Sequence, residues 1–367
     1  MKIYKMILLF AAAVLMAACE KSGDESNSKT PAADSELVLK VDKIYIQSKV
    51  DAANFTLTLA GEPVTEGVTF YDGSTNAVVD IKDMKFTADA DGTYSFWASY
   101  MTFTSNTVVV KAIPMAVPSN PVDEDKSNTS FRRRVLMTQF TGTGCPNCPY
   151  MISALHKVYE KEAYSSKVVH VSSHTSWAST FYLEKDVHGF MGVSGAPWLV
   201  ADFDKSSKIG AYSDTDRTAM DIEYVIDEWY DAQEPMAGIA VNSVLSGKTL
   251  AVKALVKAAE TAEYRVGAWL LEDDLISEQA GASQEWMNKH NNVLRIADSE
   301  ISQSNFSGHK LGQIKAGEYS EYVFVMELDP SWQEENLHLA VFITNGGLVN
   351  NVVDCKVGES IGFDYAE

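Results

Sequence analysis

The stretch that most constrains this chain runs from Val135 to Pro149. An apolar run of strand length, Val135-Leu136-Met137-Thr138-Gln139-Phe140, meets Thr141-Gly142-Thr143-Gly144 and then Cys145-Pro146-Asn147-Cys148-Pro149. A helical pattern follows through Met151, Ile152, Leu155, Val158 and Tyr159. Strand, Gly-rich turn and helix in that order place two cysteines in the first helical turn. In such a setting C-x-x-C reads as a redox pair rather than a zinc knuckle. A helix N-terminus carries about half a positive charge and unpaired N–H groups. A thiolate there is stabilised, its pKa falls, and it becomes a nucleophile at neutral pH. Pro146 suits the first helical position, where no N–H is needed. On this reading Cys145, the more exposed of the two, attacks a substrate disulfide and Cys148 resolves the mixed disulfide. The competing reading is a static Cys145–Cys148 disulfide with no catalysis.

The chain begins with a processing pattern. Lys2 and Lys5 precede an unbroken apolar run of 13 residues from Met6 to Ala18, too short to span a bilayer and of signal-peptide length. Leu15-Met16-Ala17-Ala18-Cys19 resembles a lipoprotein signal, which implies that Cys19 becomes the lipidated first residue of the mature chain. Plain secretion with cleavage after Ala17 or Ala18 is the alternative. Residues 20–34 are small and polar, as in a flexible tether. The formal charge is −20, and losing Lys2 and Lys5 with the leader makes it −22. Such acidity argues against nucleic acid or an anionic membrane surface as partner. The one basic cluster, Arg132-Arg133-Arg134, reads as a solvated junction in a linker.

From 35 to 113 the pattern is β. Leu37, Leu39 and Val41 alternate with polar residues, as do Phe55, Leu57 and Leu59. Asp91-Gly92-Thr93-Tyr94 before Ser95-Phe96-Trp97 resembles the tyrosine corner of an immunoglobulin-like sandwich. Pro114, Pro118 and Pro121 with Asp123 to Asn128 make an extended polar linker over 114–133. Beyond the cysteines, Lys167 to Val171 reads as a strand, Trp177 to Phe190 as loop and helix, and Asp214 to Tyr230 as an amphipathic helix with Met220, Ile222, Val225, Ile226 and Trp229 inward. From 236 to 367 strand patterns return, interrupted by a polar insertion, Ser283 to Arg295, that contains Trp286 and His290.

The segment 134–235 resembles a thioredoxin-fold domain. More narrowly, the chain from about Arg134 onward resembles the twenty-eight-kilodalton outer-membrane-protein-related family of Gram-negative lipoproteins. Gln139 to Pro149, Gly195-Ala196-Pro197 and His290 to Arg295 carry the resemblance. It implies a cis-proline at Pro197 facing the cysteines, with Pro146, Asn147 and Ala196 shaping a groove for an extended peptide. Gly144, where ordinary thioredoxins have tryptophan, and the Pro-Asn dipeptide depart from the pattern. The expected architecture is multidomain α+β. An immunoglobulin-like β-sandwich (35–113) precedes a thioredoxin-like α/β domain (134–235) and a C-terminal β-sandwich-like domain (236–367).

Two functions follow as expectations. One is an envelope thiol–disulfide oxidoreductase acting on protein thiols or disulfides through Cys145, Cys148 and Pro197. The other is a redox-silent adhesin or binding lipoprotein that takes a surface ligand. Both place the chain at the outer membrane through an N-terminal lipid. No phosphate loop, dinucleotide fingerprint or hydrolase triad signature is present, so no small-molecule cofactor is expected. His170 and His174 with two thiolates could hold zinc or Cu(I), but without a second C-x-x-C they read as ordinary loop histidines and no metal is expected. Cys355 is left over and reads as a buried free thiol.

Overall fold

Alternation in the N-terminal segment produces two facing sheets. In the first, Leu37–Val41 pairs antiparallel with Ala53–Leu59, setting Leu37 opposite Leu59 and Leu39 opposite Leu57. In the second, Val108–Ile113 lies between Gly92–Tyr100 and Tyr45–Gln47. Phe55, Leu57, Phe70, Phe96 and Val110 fill the space between the sheets, each burial contributing about 1.5–3 kcal/mol. The Tyr94 hydroxyl donates to the Ala90 carbonyl at 2.8 Å, as a tyrosine corner requires. This sandwich is compatible with the immunoglobulin-like expectation.

The computed structural model describes residues 35–175, 179, 181, 187–299 and 308–366. The leader, Cys19, the tether and part of the Trp177–Phe190 stretch lie outside the described residues. Among these, 45% are in strand and 14% in helix. The helices are α1 (Cys148–Tyr159), α2 (Glu162–Ser165) and α3 (Thr215–Asp231), and none is long and apolar enough to cross a membrane.

The linker 114–133 is pinned rather than loose. The Lys257 ammonium is fully buried and donates to Asp123 Oδ2 at 2.9 Å and to the Asp125 carbonyl at 3.0 Å. Arg133 is also not solvated. Its guanidinium is 3% exposed and pairs with the Asp202 carboxylate, 2% exposed. Sequence could not show this, because the partner lies 69 residues away.

The expected thioredoxin-like α/β domain does not form. The parallel pair Val135–Thr141 and Val168–His174 is there, and Trp198–Ala201 adds antiparallel to the first. But the second strand is not an edge. Ser172 pairs with Val293 of Val293–Asp298. Ala262–Glu272, Leu337–Asn345 and Leu348–Lys356 then continue one nine-stranded mixed sheet. The chain is therefore mostly β, and strands from both sides of residue 235 share a ladder. The strand pattern Val168–His174 specifies a buried strand but not which strand covers its far side.

One face of this sheet carries α1 and α3 over Val135, Met137 and Leu199. It also carries, further along, a four-stranded sheet that includes Ala237–Ser246 and Thr249–Ala258. The opposite face packs Leu136, Phe140, Trp269 and Phe342 against Val187, Met191 and Phe203. Helix α3 is capped by Asp214, whose carboxylate accepts from the backbone N–H groups of Asp216 and Arg217. It buries Ile222, Val225 and Ile226 as expected, but Met220 faces solvent.

At the rim, His338 Nδ1 lies 2.6 Å from Asp354 Oδ2, and Nε2 lies 3.5 Å from Asp273 Oδ1. Burial alone would lower the imidazole pKa, but the two carboxylates raise it to about 9. The stabilisation is complete below the ordinary value near 6.5 and disappears as pH rises through about 9. With both carboxylates partly exposed, about 2 kcal/mol is expected. Denaturant melts at pH 6.5 and pH 9.5 should show that loss in the wild type, and none of it in His338→Gln.

Candidate functional site: a capped cysteine pair

The turn Gly142–Asn147 delivers the cysteines to the start of α1. Cys145 N–H donates to the Gly142 carbonyl, and Cys148 N–H to the Cys145 carbonyl. Asn147 is the N-cap residue, so α1 opens on Cys148 and the proline in its first turn is Pro149 rather than Pro146. Cys145 therefore precedes the helix by a turn, and Cys148 is the sulfur closest to the helix dipole.

The two sulfurs are joined in a disulfide, with Cα atoms 5.4 Å apart. Cys145 is 2% exposed and Cys148 is fully buried. The expectation that Cys145 stands open to an incoming thiolate is not met. Pro146 and Asn147 are exposed beside it. The Ala196–Pro197 peptide is cis, and Ala196 packs against the cysteine pair. Ala196 and Pro197 stand just before the ladder of Trp198–Ala201.

The cover comes from the residues just before the Ser283–Arg295 insertion. Leu275–Ile276 pairs with Lys289–His290, and the loop between them folds over the Gly142–Pro146 turn. Ala280 N–H donates to the Thr143 carbonyl at 2.7 Å. The Gln279 amide donates to the Gly142 carbonyl at 3.2 Å and to the Cys145 carbonyl at 3.0 Å. Gly281, at φ +75°, presses so close that a Cβ added there would meet the Pro146 carbonyl oxygen at 2.5 Å. Trp286, on the Glu285–Asn288 turn, rests against the His156 ring of α1 at 4.5 Å. Each of the three hydrogen bonds contributes about 0.5–1.5 kcal/mol net, so the uncovered form is a minority of roughly one molecule in ten to one in two thousand.

Sequence reasoning marked Ser283 to Arg295 as an insertion but gave it no role. Only Gly281 hinted at a special backbone, and nothing local says what it touches. His170 and His174 lie on the strand beside α1, not at the sulfurs, and no group of three or more His, Cys, Asp or Glu among the described residues could hold a metal. Cys355 is 2% exposed and unpaired by disulfide. Burial pushes its thiol up to about 12, so it is inert at neutral pH.

Residues 208–361 match the family model described as outer membrane protein Omp28. That range holds the cover and most of the strands after residue 236 but begins after the cysteine pair. It supports the relation to that outer-membrane family and an envelope protein. No curated protein matches. Among solved structures, HBP35 of Porphyromonas gingivalis is similar at 15% identity, over 65% of this chain and 80% of that one, with a TM-score of 0.49. A DUF4785 family protein from Legionella pneumophila is similar at 9% identity, over 88% of this chain and 57% of that one, with a TM-score of 0.20. Neither score carries a shared fold or function to this chain.

Proposed function

We propose that this chain is a lipid-anchored outer-membrane binding protein whose Cys145–Cys148 disulfide is a structural clamp rather than an open redox centre. The observation behind it is the burial of both sulfurs beneath the Gln279–Gly281 cover. A disulfide exchanges only when a thiolate reaches one sulfur, and here both sulfurs are buried while the Gln279–Gly281 segment packs on the backbone of the turn that carries Cys145. With dithiothreitol as donor and insulin as disulfide substrate, the mature chain should add nothing to the uncatalysed rate. Turnover that disappears in Cys145→Ser would overturn this. The anchor rests on the leader pattern ending at Cys19. Cys19→Ala should lose labelled-palmitate incorporation and leave the membrane fraction, and retention of both would remove the anchor.

One observation favours a second reading. Ala196, next to the cis Pro197, packs against the cysteines, and Pro146 and Asn147 are exposed alongside. These residues could frame a peptide groove for thiol–disulfide exchange on protein substrates, with Cys145 attacking and Cys148 resolving. In that reading the cover must lift before each turnover.

A further inference from the structure

One helical turn beyond Cys148, Ile152 separates the cysteines from a cavity of about 340 Å³. It lies between α1, the strands Val135–Thr141 and Val168–His174, and the hairpin that ends in Lys289–His290. Five of the residues lining it carry a buried polar atom with no hydrogen-bond partner within the chain: Gln139 Nε2, Thr141 Oγ1, Tyr159 OH, His170 Nε2 and His174 Nε2. An orphaned buried polar group costs about 1–3 kcal/mol, so five together cost about 5–15 kcal/mol. That rivals the whole stability of a typical domain. Such a cost favours an occupant that hydrogen-bonds, water or ligand.

The partners of the two imidazoles say what kind of group fits. The Asn292 amide nitrogen faces His170 Nδ1 at 3.5 Å, which leaves the proton on Nε2. Ser179 Oγ accepts from the Phe181 N–H and reaches His174 Nδ1 at 2.8 Å. The Ser179 hydroxyl can donate to Nδ1, and in that tautomer His174 Nε2 again carries the hydrogen. Burial lowers His170 to about 4 and His174 to about 3, so both rings are neutral at pH 7. With the Gln139 amide and the Tyr159 and Thr141 hydroxyls, all five orphans can donate. No carboxylate stands among the described lining residues, while Ile152, Leu155, Trp286 and Met287 give an apolar wall. Few polar groups converging on one side of an apolar pocket of this size is the usual form of a small-molecule site.

We propose that this cavity binds a small carboxylate with an apolar body, its oxygens taking the donors of Thr141, Tyr159, His170 and His174. This deepens the binding-protein reading and gives it a ligand class. The probe is benzoate, titrated calorimetrically into the mature chain, with benzylamine and Zn²⁺ alongside. Benzoate is expected to bind one to one, with affinity falling about tenfold or more in Tyr159→Phe and in Thr141→Val. The melting temperature of the unliganded variants should stay level or rise, because each loses an unpartnered buried hydroxyl. A purely structural Tyr159 would lower the melting temperature and leave affinity alone. No benzoate binding, a water-filled cavity only, or preference for benzylamine or Zn²⁺ would overturn the proposal. Those outcomes leave the closed disulfide standing, whereas insulin turnover would end that reading without touching the cavity.

Discussion

Arg133→Met is expected to lower the unfolding free energy by about 3–5 kcal/mol at pH 7, the cost of leaving a buried charge without its partner. Asp202 is 1% exposed. Burial pushes its carboxyl up to about 6 even with the guanidinium present, which acts in the opposite direction. Without Arg133 the carboxyl goes higher still and is protonated near neutrality. The defect should therefore shrink as pH falls from 7 to 5, where a neutral acid is tolerated. The site cannot be made simply apolar. Asp202 Oδ1 accepts from the Leu136 N–H at 2.8 Å, and its φ of 47° is in the left-handed region that Asn adopts readily. Arg133→Met combined with Asp202→Asn should recover most of the loss. Denaturant melts of the two variants at pH 5 and 7 decide it, and a pH-independent loss in the single variant would count against the ion-pair account.

Gly281→Ala should raise the rate at which a small reductant opens Cys145–Cys148 by about thirtyfold or more, up to the point where the open form predominates. The methyl must either meet the Pro146 carbonyl oxygen or move the loop. A non-glycine residue in the left-handed region costs about 1–2 kcal/mol, and the crowding adds a similar amount. Both are relieved when the cover lifts, so the open population grows by that factor. Global stability should fall by no more than the free energy that closes the cover, since the open form keeps the rest of the fold and the loop lies between two short paired strands. Reduction by tris(2-carboxyethyl)phosphine followed by alkylation gives the rate. Equal rates in wild type and variant would mean that the cover does not control access. A variant that also gains insulin turnover would favour the exchange reading.

What sequence made legible was what neighbours decide. Alternation gave Leu37, Leu39, Phe55 and Leu57 their inward face. The Asp214 cap marked the start of α3. The turn–helix context placed Cys145 and Cys148 within reach of each other. What it did not give depended on distant partners. Pro146 and Pro149 are both compatible with a first helical turn, and the actual cap at Asn147 chose the second. Arg133 looked like part of a solvated cluster until Asp202 met it across the fold. The parallel strands suggested a self-contained α/β unit because nothing in Val168–His174 announces Val293. The cover over the cysteines comes from a segment more than a hundred residues further along the chain, and the donors of the cavity meet only because two parallel strands and α1 bring Gln139, Thr141, Tyr159, His170 and His174 together.

The shared ladder also bears on how this chain can be divided at the bench. Phe203 packs on Trp269 and Phe342, with ring centres 5.4 and 5.2 Å away, so a recombinant piece ending near Pro235 would bare half of an aromatic nucleus. It would also free the strand edge at Ser172, a template for self-association. The shortest fragment able to present the cysteine pair in its native setting thus has to include both ends of that nucleus and the loop at Gly281.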